Sequence, residues 1–131
     1  MKALEIPPAR VLGPLTRTDF VRYQGASGDM NPVHHDEGFA TEAGFPAPLA
    51  VGMFTAGALN AWATDWLGPR NVRRTRTRWH LPCFPGDTLT LGGEIERDYT
   101  EGDERRVDLL LTATRGTDEV VLTVWMTFVQ P

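Results

Sequence analysis

Only one cysteine, Cys83, occurs among the 131 residues. No disulfide can form within the chain, and a reducing, cytoplasmic setting is the default expectation. Long hydrophobic runs are also missing. From Met1 to Leu15 the apolar residues are interrupted by Pro7, Pro8 and Pro14, which leaves no continuous apolar core for a signal peptide. The longest weakly polar stretch, Ala47 to Leu67, contains Asn60, Thr64 and Asp65, so it reads as a buried helix rather than a membrane span. Excess positive charge is lacking too: 13 Lys and Arg face 17 Asp and Glu, a formal charge of −4. That balance argues against a dedicated nucleic-acid binder. With three histidines and one cysteine, a metal site is not expected, since the adjacent His34 and His35 cannot easily face one ion.

Glycine and proline are what the chain has in quantity, 13 and 10 residues, and they punctuate it. The length fits a single domain over residues 1–131, able to bury roughly two-thirds of its unfolded surface. Thr16-Arg17-Thr18-Asp19 fits a capping box, and Phe20, Val21 and Tyr23 follow, predicting a short helix that ends at a left-handed Gly25. Asp36 caps a second short helix up to Gly44, broken by Phe45-Pro46-Ala47-Pro48. From Val51 to Leu67 the residues are apolar nearly all round, with small residues that admit close backbone, and Gly68-Pro69 closes the helix. Everything after Pro69 reads as strand. Thr88 to Glu96 alternates, with Leu89, Leu91, Gly93 and Ile95 on one side. A polar turn at Tyr99 to Asp103 follows, then a face of Val107, Leu109, Leu111 and Ala113. After the turn at Arg115 to Asp118, Val120 to Val129 is apolar on both faces, implying a second packing surface, most simply a second subunit. The expected class is α+β, an antiparallel sheet wrapped around one long central helix.

The densest run of chemically capable residues is Ser27-Gly28-Asp29-Met30-Asn31-Pro32-Val33-His34-His35-Asp36. Pro32 prevents a continuous helix through Asp29 and His34 and pushes Asn31 to an extended or turn conformation. A stiff loop can aim a carboxylate and an imidazole at one point, as acid–base chemistry on one water or carbon acid requires. Spacing alone equally suits a capping aspartate and a surface histidine.

Gly28-Asp29-Met30-Asn31-Pro32-Val33-His34 resembles the Gly-Asp-x-Asn-Pro-aliphatic-His signature of the MaoC-like hydratases and dehydratases of the hot-dog fold. Ala43-Gly44-Phe45 and Leu49-Ala50-Val51-Gly52-Met53 resemble the segment leading into that family's central helix. Arg78-Trp79, Pro82 and Pro85-Gly86-Asp87-Thr88-Leu89 resemble the strand and turn after it. The resemblance runs from about Leu15 to the C-terminus and is nearest to the single-hot-dog (R)-specific enoyl-CoA hydratases and the catalytic subunit of the (3R)-hydroxyacyl-ACP dehydratase. It implies reversible syn addition of water to a trans-2-enoyl thioester on coenzyme A or acyl carrier protein, with no further cofactor. It also implies a catalytic dyad of Asp29 and His34 and an oxyanion hole at the Gly52 N–H, where a helix start favours negative charge. Close helix packing is the other reading of Gly52. The family usually places His before this glycine, and Val51 departs from that, which bears on the shape and polarity of the pocket. Asn31 is expected to pin the loop. Asn60, where the hydratases carry serine, is expected to hydrogen-bond the Asp/His loop or else to be a buried amide satisfying loop carbonyls.

Five arginines fall in nine residues, Arg70, Arg73, Arg74, Arg76 and Arg78. In a strand from Val72 to Leu81, Arg74, Arg76, Arg78 and His80 share one face. The stripe suits coenzyme A phosphates or an acidic carrier protein, or else is a solvated edge with gatekeeping charge. Cys83 reads as a buried structural thiol, and His35 as a surface or supporting residue. A homodimer is expected, with the acyl chain near the interface. The alternatives are one subunit of a heteromeric dehydratase, which Ala63 to Pro69 resembles, a hot-dog thioesterase, and a non-catalytic acyl-thioester binding protein.

Overall fold

A computed structural model describes residues 3–131. Strand β1 (Arg10–Leu12) precedes helices α1 (Arg17–Ser27), α2 (Glu37–Glu42) and α3 (Gly52–Leu67), and then strands β2 (Val72–Trp79), β3 (Leu89–Glu101), β4 (Glu104–Arg115) and β5 (Glu119–Val129). The strands form one antiparallel sheet in the order β1-β3-β4-β5-β2. Alternation decides which face is buried: Leu89 and Leu91 of β3, Val107, Leu109, Leu111 and Ala113 of β4, and Leu122, Val124, Met126 and Phe128 of β5 line the core. Against them α3 sets Ala56, Leu59, Trp62, Ala63 and Leu67, a stripe at the spacing of helical turns. Each large side chain so buried contributes about 1.5–3 kcal/mol. The sheet therefore wraps the long helix, the α+β hot-dog arrangement.

Several local expectations hold and several shift. The Thr16–Asp19 capping box forms, with Thr16 Oγ1 accepting from the Asp19 N–H at 3.1 Å and Asp19 Oδ2 from the Thr16 N–H at 2.8 Å. The helix it starts runs through Gly25 and stops at Gly28, whose φ of 79° and N–H bond to the Gln24 carbonyl make it the left-handed cap. Either glycine permits that conformation; only Gly28 stands where the chain must turn into the loop. Asp36 caps α2 by accepting from the Phe39 N–H at 2.9 Å. Residues 69–71 are a short 3-10 turn and residues 80–88 a loop, so the region after Pro69 is not strand throughout. The β3–β4 hairpin turns on Gly102 and Asp103 alone, with Tyr99, Thr100 and Glu101 inside β3. Strand β1 is too short for periodicity to reveal. The helix α3 leaves Met53, Gly57 and Asp65 exposed, so it is less enclosed than its composition suggests.

The outer face of β5 carries contacts of its own. Thr123 Oγ1 lies 2.9 Å from His80 Nε2 in the loop after β2, Thr127 Oγ1 donates to Asp108 of β4 at 2.7 Å, and the Arg76 guanidinium of β2 lies 4.3 Å from the Trp125 ring centroid.

Candidate active site

The loop after α1 is held from beneath by a residue that sequence reasoning did not single out. Gln24, 1% exposed, donates from Nε2 to the carbonyls of Asp29 at 2.9 Å and Asn31 at 3.0 Å. Both amide hydrogens are thereby used, so Oε1 is the acceptor for His35 Nδ1–H at 3.0 Å, which gives His35 the supporting role foreseen for it. Above this anchor the loop braces itself. Asp29 Oδ1 accepts from the Asn31 N–H at 3.2 Å, and Asn31 Oδ1 accepts from the Val33 N–H at 3.0 Å. Asn31 thus pins the loop as expected, and Pro32 begins the 3-10 turn that presents His34.

His34 is buried and the Asp29 carboxylate half-exposed, with His34 Nε2 and Asp29 Oδ2 3.9 Å apart. That exceeds a direct hydrogen bond and suits two groups sharing one small polar atom. His34 Nδ1 lies 2.8 Å from the Leu49 carbonyl oxygen. A carbonyl only accepts, so Nδ1 carries hydrogen and the neutral ring presents the Nε2 lone pair toward Asp29.

Leu49 belongs to a segment fixed at four points, the first being its N–H, which donates to the Val33 carbonyl at 3.2 Å. Its carbonyl takes the His34 ring, the Ala50 N–H donates to the Cys83 carbonyl at 2.8 Å, and the Gly52 carbonyl accepts from Trp79 Nε1 at 2.9 Å. Gly52 is the first residue of α3, and its N-cap, Val51, supplies no side-chain bond. The N–H groups of Gly52 and Met53 find no acceptor among the described residues, whereas Phe54 N–H bonds to the Val51 carbonyl. The end of a sixteen-residue helix thus offers free donors and the positive end of the dipole. Close packing holds there as well: a Cβ on Gly52 would lie 3.0 Å from Trp79 Nε1.

A pocket of about 360 Å³ opens beside these groups, lined by His34, Gly52, Thr55, Trp79 and His80 together with Phe45, Leu49, Leu81, Cys83, Val121 and Leu122. Its walls are largely apolar with a few polar groups converging, the usual character of a small-molecule site. Cys83 is buried in one wall, and that burial pushes its thiol up to about 11, so it stays protonated and poorly nucleophilic near neutrality.

Other candidates lie elsewhere. Asn60 does not reach the Asp/His loop: its Nδ2 donates to the Ala56 carbonyl at 2.7 Å and its Oδ1 accepts from Thr75 Oγ1 at 3.2 Å. Eight residues beyond Gly52, it stands about 12 Å along the helix from the site, and it ties α3 to β2. Arg74, Arg76 and Arg78 do share one face, paired across β2–β5 with Thr127, Trp125 and Thr123. The alternate residues Thr75 and Trp79 bond to α3, so the stripe occupies the sheet face turned away from the pocket. Among the described residues none of the three arginines has a carboxylate partner, and no group of three or more His, Cys, Asp or Glu could hold a metal. No helix among them is long and apolar enough to cross a membrane. Asp87, in the Pro85-Gly86-Asp87 turn, accepts from the Phe84 N–H at 2.8 Å and from Arg115 at 2.7 Å, fixing the loop that carries Cys83.

Comparison with known proteins agrees with this arrangement. The chain is 40% identical over 88 residues to 3-hydroxyacyl-thioester dehydratase Y of Mycobacterium tuberculosis, covering 64% of this chain and 30% of that protein. It is 34% identical over 110 residues to the 3-hydroxybutyryl-CoA dehydratase of Methylorubrum extorquens, covering 82% of this chain and 68% of that one. This chain therefore spans less than a third of the first relative and about two-thirds of the second. In structure it superposes on the (R)-hydratase from A. caviae involved in PHA biosynthesis with a TM-score of 0.82 at 21% identity, covering both chains in full, a likeness of fold. Residues 5–116 match the model of the MaoC like domain, and with the loop, the helix start and the sheet all in their places, the chain belongs to the MaoC-like family.

Proposed function

We infer that the protein catalyses the reversible hydration of trans-2-enoyl thioesters to 3-hydroxyacyl thioesters, as a lyase. The observation that carries this reading is an apolar pocket lined by His34 and by Gly52 at the start of α3, with the Asp29 carboxylate 3.9 Å from His34 Nε2. In the hydration direction a water held between Asp29 and His34 attacks C3 and gives up a proton to the dyad, which later delivers a proton to C2. As its oxygen bonds to carbon, the C2–C3 π pair moves toward C1 and negative charge gathers on the thioester oxygen. The Gly52 N–H meets that charge, and collapse of the enolate takes a proton at C2. Net, H and OH add across the double bond, and the dyad ends as it began. Delivery of both from the dyad side gives syn addition, and the (3R) product is the one the family signature implies. The two residues act on one shared water and are treated as a unit. General acid–base groups of this kind supply on the order of 10²–10⁴ in rate, and a backbone oxyanion donor about 10²–10³.

We take residues 1–131 as a single hot-dog unit that works as a homodimer. Trp79 and Leu81 are large apolar side chains left exposed at the pocket, and β2 is an outer edge of the sheet, where a second copy would cover them. Crotonyl-CoA hydration by the purified protein tests the reading, followed by chiral analysis of the product. Asp29→Asn and His34→Ala are each expected to lower kcat by at least about 10² while leaving the fold and assembly intact. Near-normal turnover in either variant removes the dyad. Release of free thiol from acyl-CoA would indicate a thioesterase instead, and co-purification with a second chain would indicate a heteromer.

A further inference from the structure

The contact between Trp79 and Gly52 joins two elements at the most demanding point of the site. Trp79 Nε1–H donates to the Gly52 carbonyl at 2.9 Å, and Thr55 Oγ1 donates to the same oxygen at 3.0 Å. One carbonyl in the first turn of α3 thus takes two side-chain donors, one from its own helix and one from β2. Val51 makes no side-chain cap, and on its other side the turn is packed by Phe54 against Phe20 and Tyr23 of α1. Within one chain the indole is 47% exposed, so the chain's own core does not fix its position. Its one hydrogen bond sets its place against Gly52, where no Cβ intervenes.

The consequences fall on the N–H side of the same turn. A carbonyl that accepts from two side chains has its peptide plane fixed and polarised, and polarisation passes along the amide to the N–H of Met53. The preceding peptide, which carries the Gly52 N–H, is tied through Ala50 to Cys83 and through Leu49 to His34. Trp79 closes the remaining side of this frame. An oxyanion donor is effective when it is already aimed before charge develops, and displacement by an ångström is enough to cost heavily in rate.

We propose, on the reading of Gly52 as the oxyanion donor, that Trp79 is a positioning residue for the enolate. Its indole N–H holds the first turn of α3 so that the free N–H groups meet the thioester oxygen, while its ring forms the pocket wall beside them. A residue that only lines the wall would change affinity; a residue that aims the donors changes turnover.

Trp79→Phe separates the two, since it keeps an aromatic ring and removes the donor. Two measurements are made on the intact protein: steady-state hydration of crotonyl-CoA, and the infrared carbonyl band of bound butyryl-CoA, a saturated thioester that cannot be hydrated. The expected result is a kcat lower by about tenfold, the effect of one hydrogen bond, with KM within about twofold. The lowering of the carbonyl frequency on binding is expected to be smaller than in the wild type. Thr55→Val, which removes the other donor and leaves the indole in place, is expected to move both readouts in the same direction. Unchanged kcat with an unchanged carbonyl shift overturns the proposal, as does an effect confined to KM. A wild-type protein that binds butyryl-CoA without lowering its carbonyl frequency overturns the oxyanion assignment of Gly52 and this role with it, whereas a normal carbonyl shift without hydration removes the hydratase reading alone.

Discussion

Replacing Gln24 by leucine preserves roughly the volume of the side chain and removes three hydrogen bonds at once. In the native protein its amide joins the carbonyls of Asp29 and Asn31 to the ring of His35, at 2.9, 3.0 and 3.0 Å. The amide is buried. Loss of a partner leaves a buried acceptor to bear its desolvation, about 1–3 kcal/mol for each group that water cannot reach. His35 is exposed and recovers water, and the Asn31 carbonyl keeps the His34 N–H at 3.2 Å, so the net loss is about 1–2 kcal/mol. For a chain of this length each kcal/mol moves the unfolding midpoint by about 4 °C, giving a fall of roughly 4–8 °C in a calorimetric scan. The carboxylate loop loses its anchor in the same step, and kcat for crotonyl-CoA falls by about 10² if the dyad geometry loosens by an ångström. Gln24→Glu keeps the size and one acceptor but cannot donate two hydrogens, and it is expected to resemble leucine above the carboxyl pKa. A midpoint within about 2 °C of the wild type together with undiminished turnover would refute the argument that this amide holds the loop.

Three further tests bear on separate parts of the molecule. Gly52→Ala places a methyl 3.0 Å from Trp79 Nε1, so the indole must give way; kcat is expected to drop by about 10²–10³, with quenching or shift of the tryptophan fluorescence as the structural readout. Cys83, its thiol raised to about 11 chiefly by burial, is expected to resist iodoacetamide at pH 8 in the folded protein and to react at once in denaturant. Because the unfolded thiol ionises at lower pH than the folded one, stability falls as pH rises from about 9 to about 11, and Cys83→Ala flattens that part of the profile. Arg74→Glu with Arg78→Glu reverses two charges while keeping the Arg76–Trp125 contact; if the stripe meets an anionic carrier, KM for the carrier-linked substrate rises several-fold at unchanged kcat. An unchanged KM marks a solvated edge.

What could be read from the sequence depended on how local the cause was. Helix α3 was legible because Gly68-Pro69 stops it and the apolar residues before it run long enough to exclude a strand. The strand faces of β3 and β4 were legible from alternation, since one side of each meets the helix. The loop carrying Asp29 and His34 was legible through Pro32, which forbids the helix that would separate them. Gln24 was not, because a glutamine in an amphipathic turn has the same local signature whether it faces water or the carbonyls of a loop five residues on. Asn60 shows the converse: its residue type suggested the loop, but its distance along α3 places it against Thr75.

The two halves of the proposed site are suspended differently. Asp29 and His34 share one loop, braced by the bond from the Asn31 N–H to Asp29 Oδ1 and anchored by Gln24 in α1, so the 3.9 Å gap between carboxylate and imidazole is set within that loop. The Gly52 end of α3 hangs from another support, the indole of Trp79 in β2, and meets the loop through Leu49, which bonds to the His34 ring and the Val33 carbonyl. The alignment of imidazole with oxyanion donor is therefore the dimension set by the relation of two separately held bodies. When a bulky acyl group presses on the pocket, that alignment changes before the dyad spacing does.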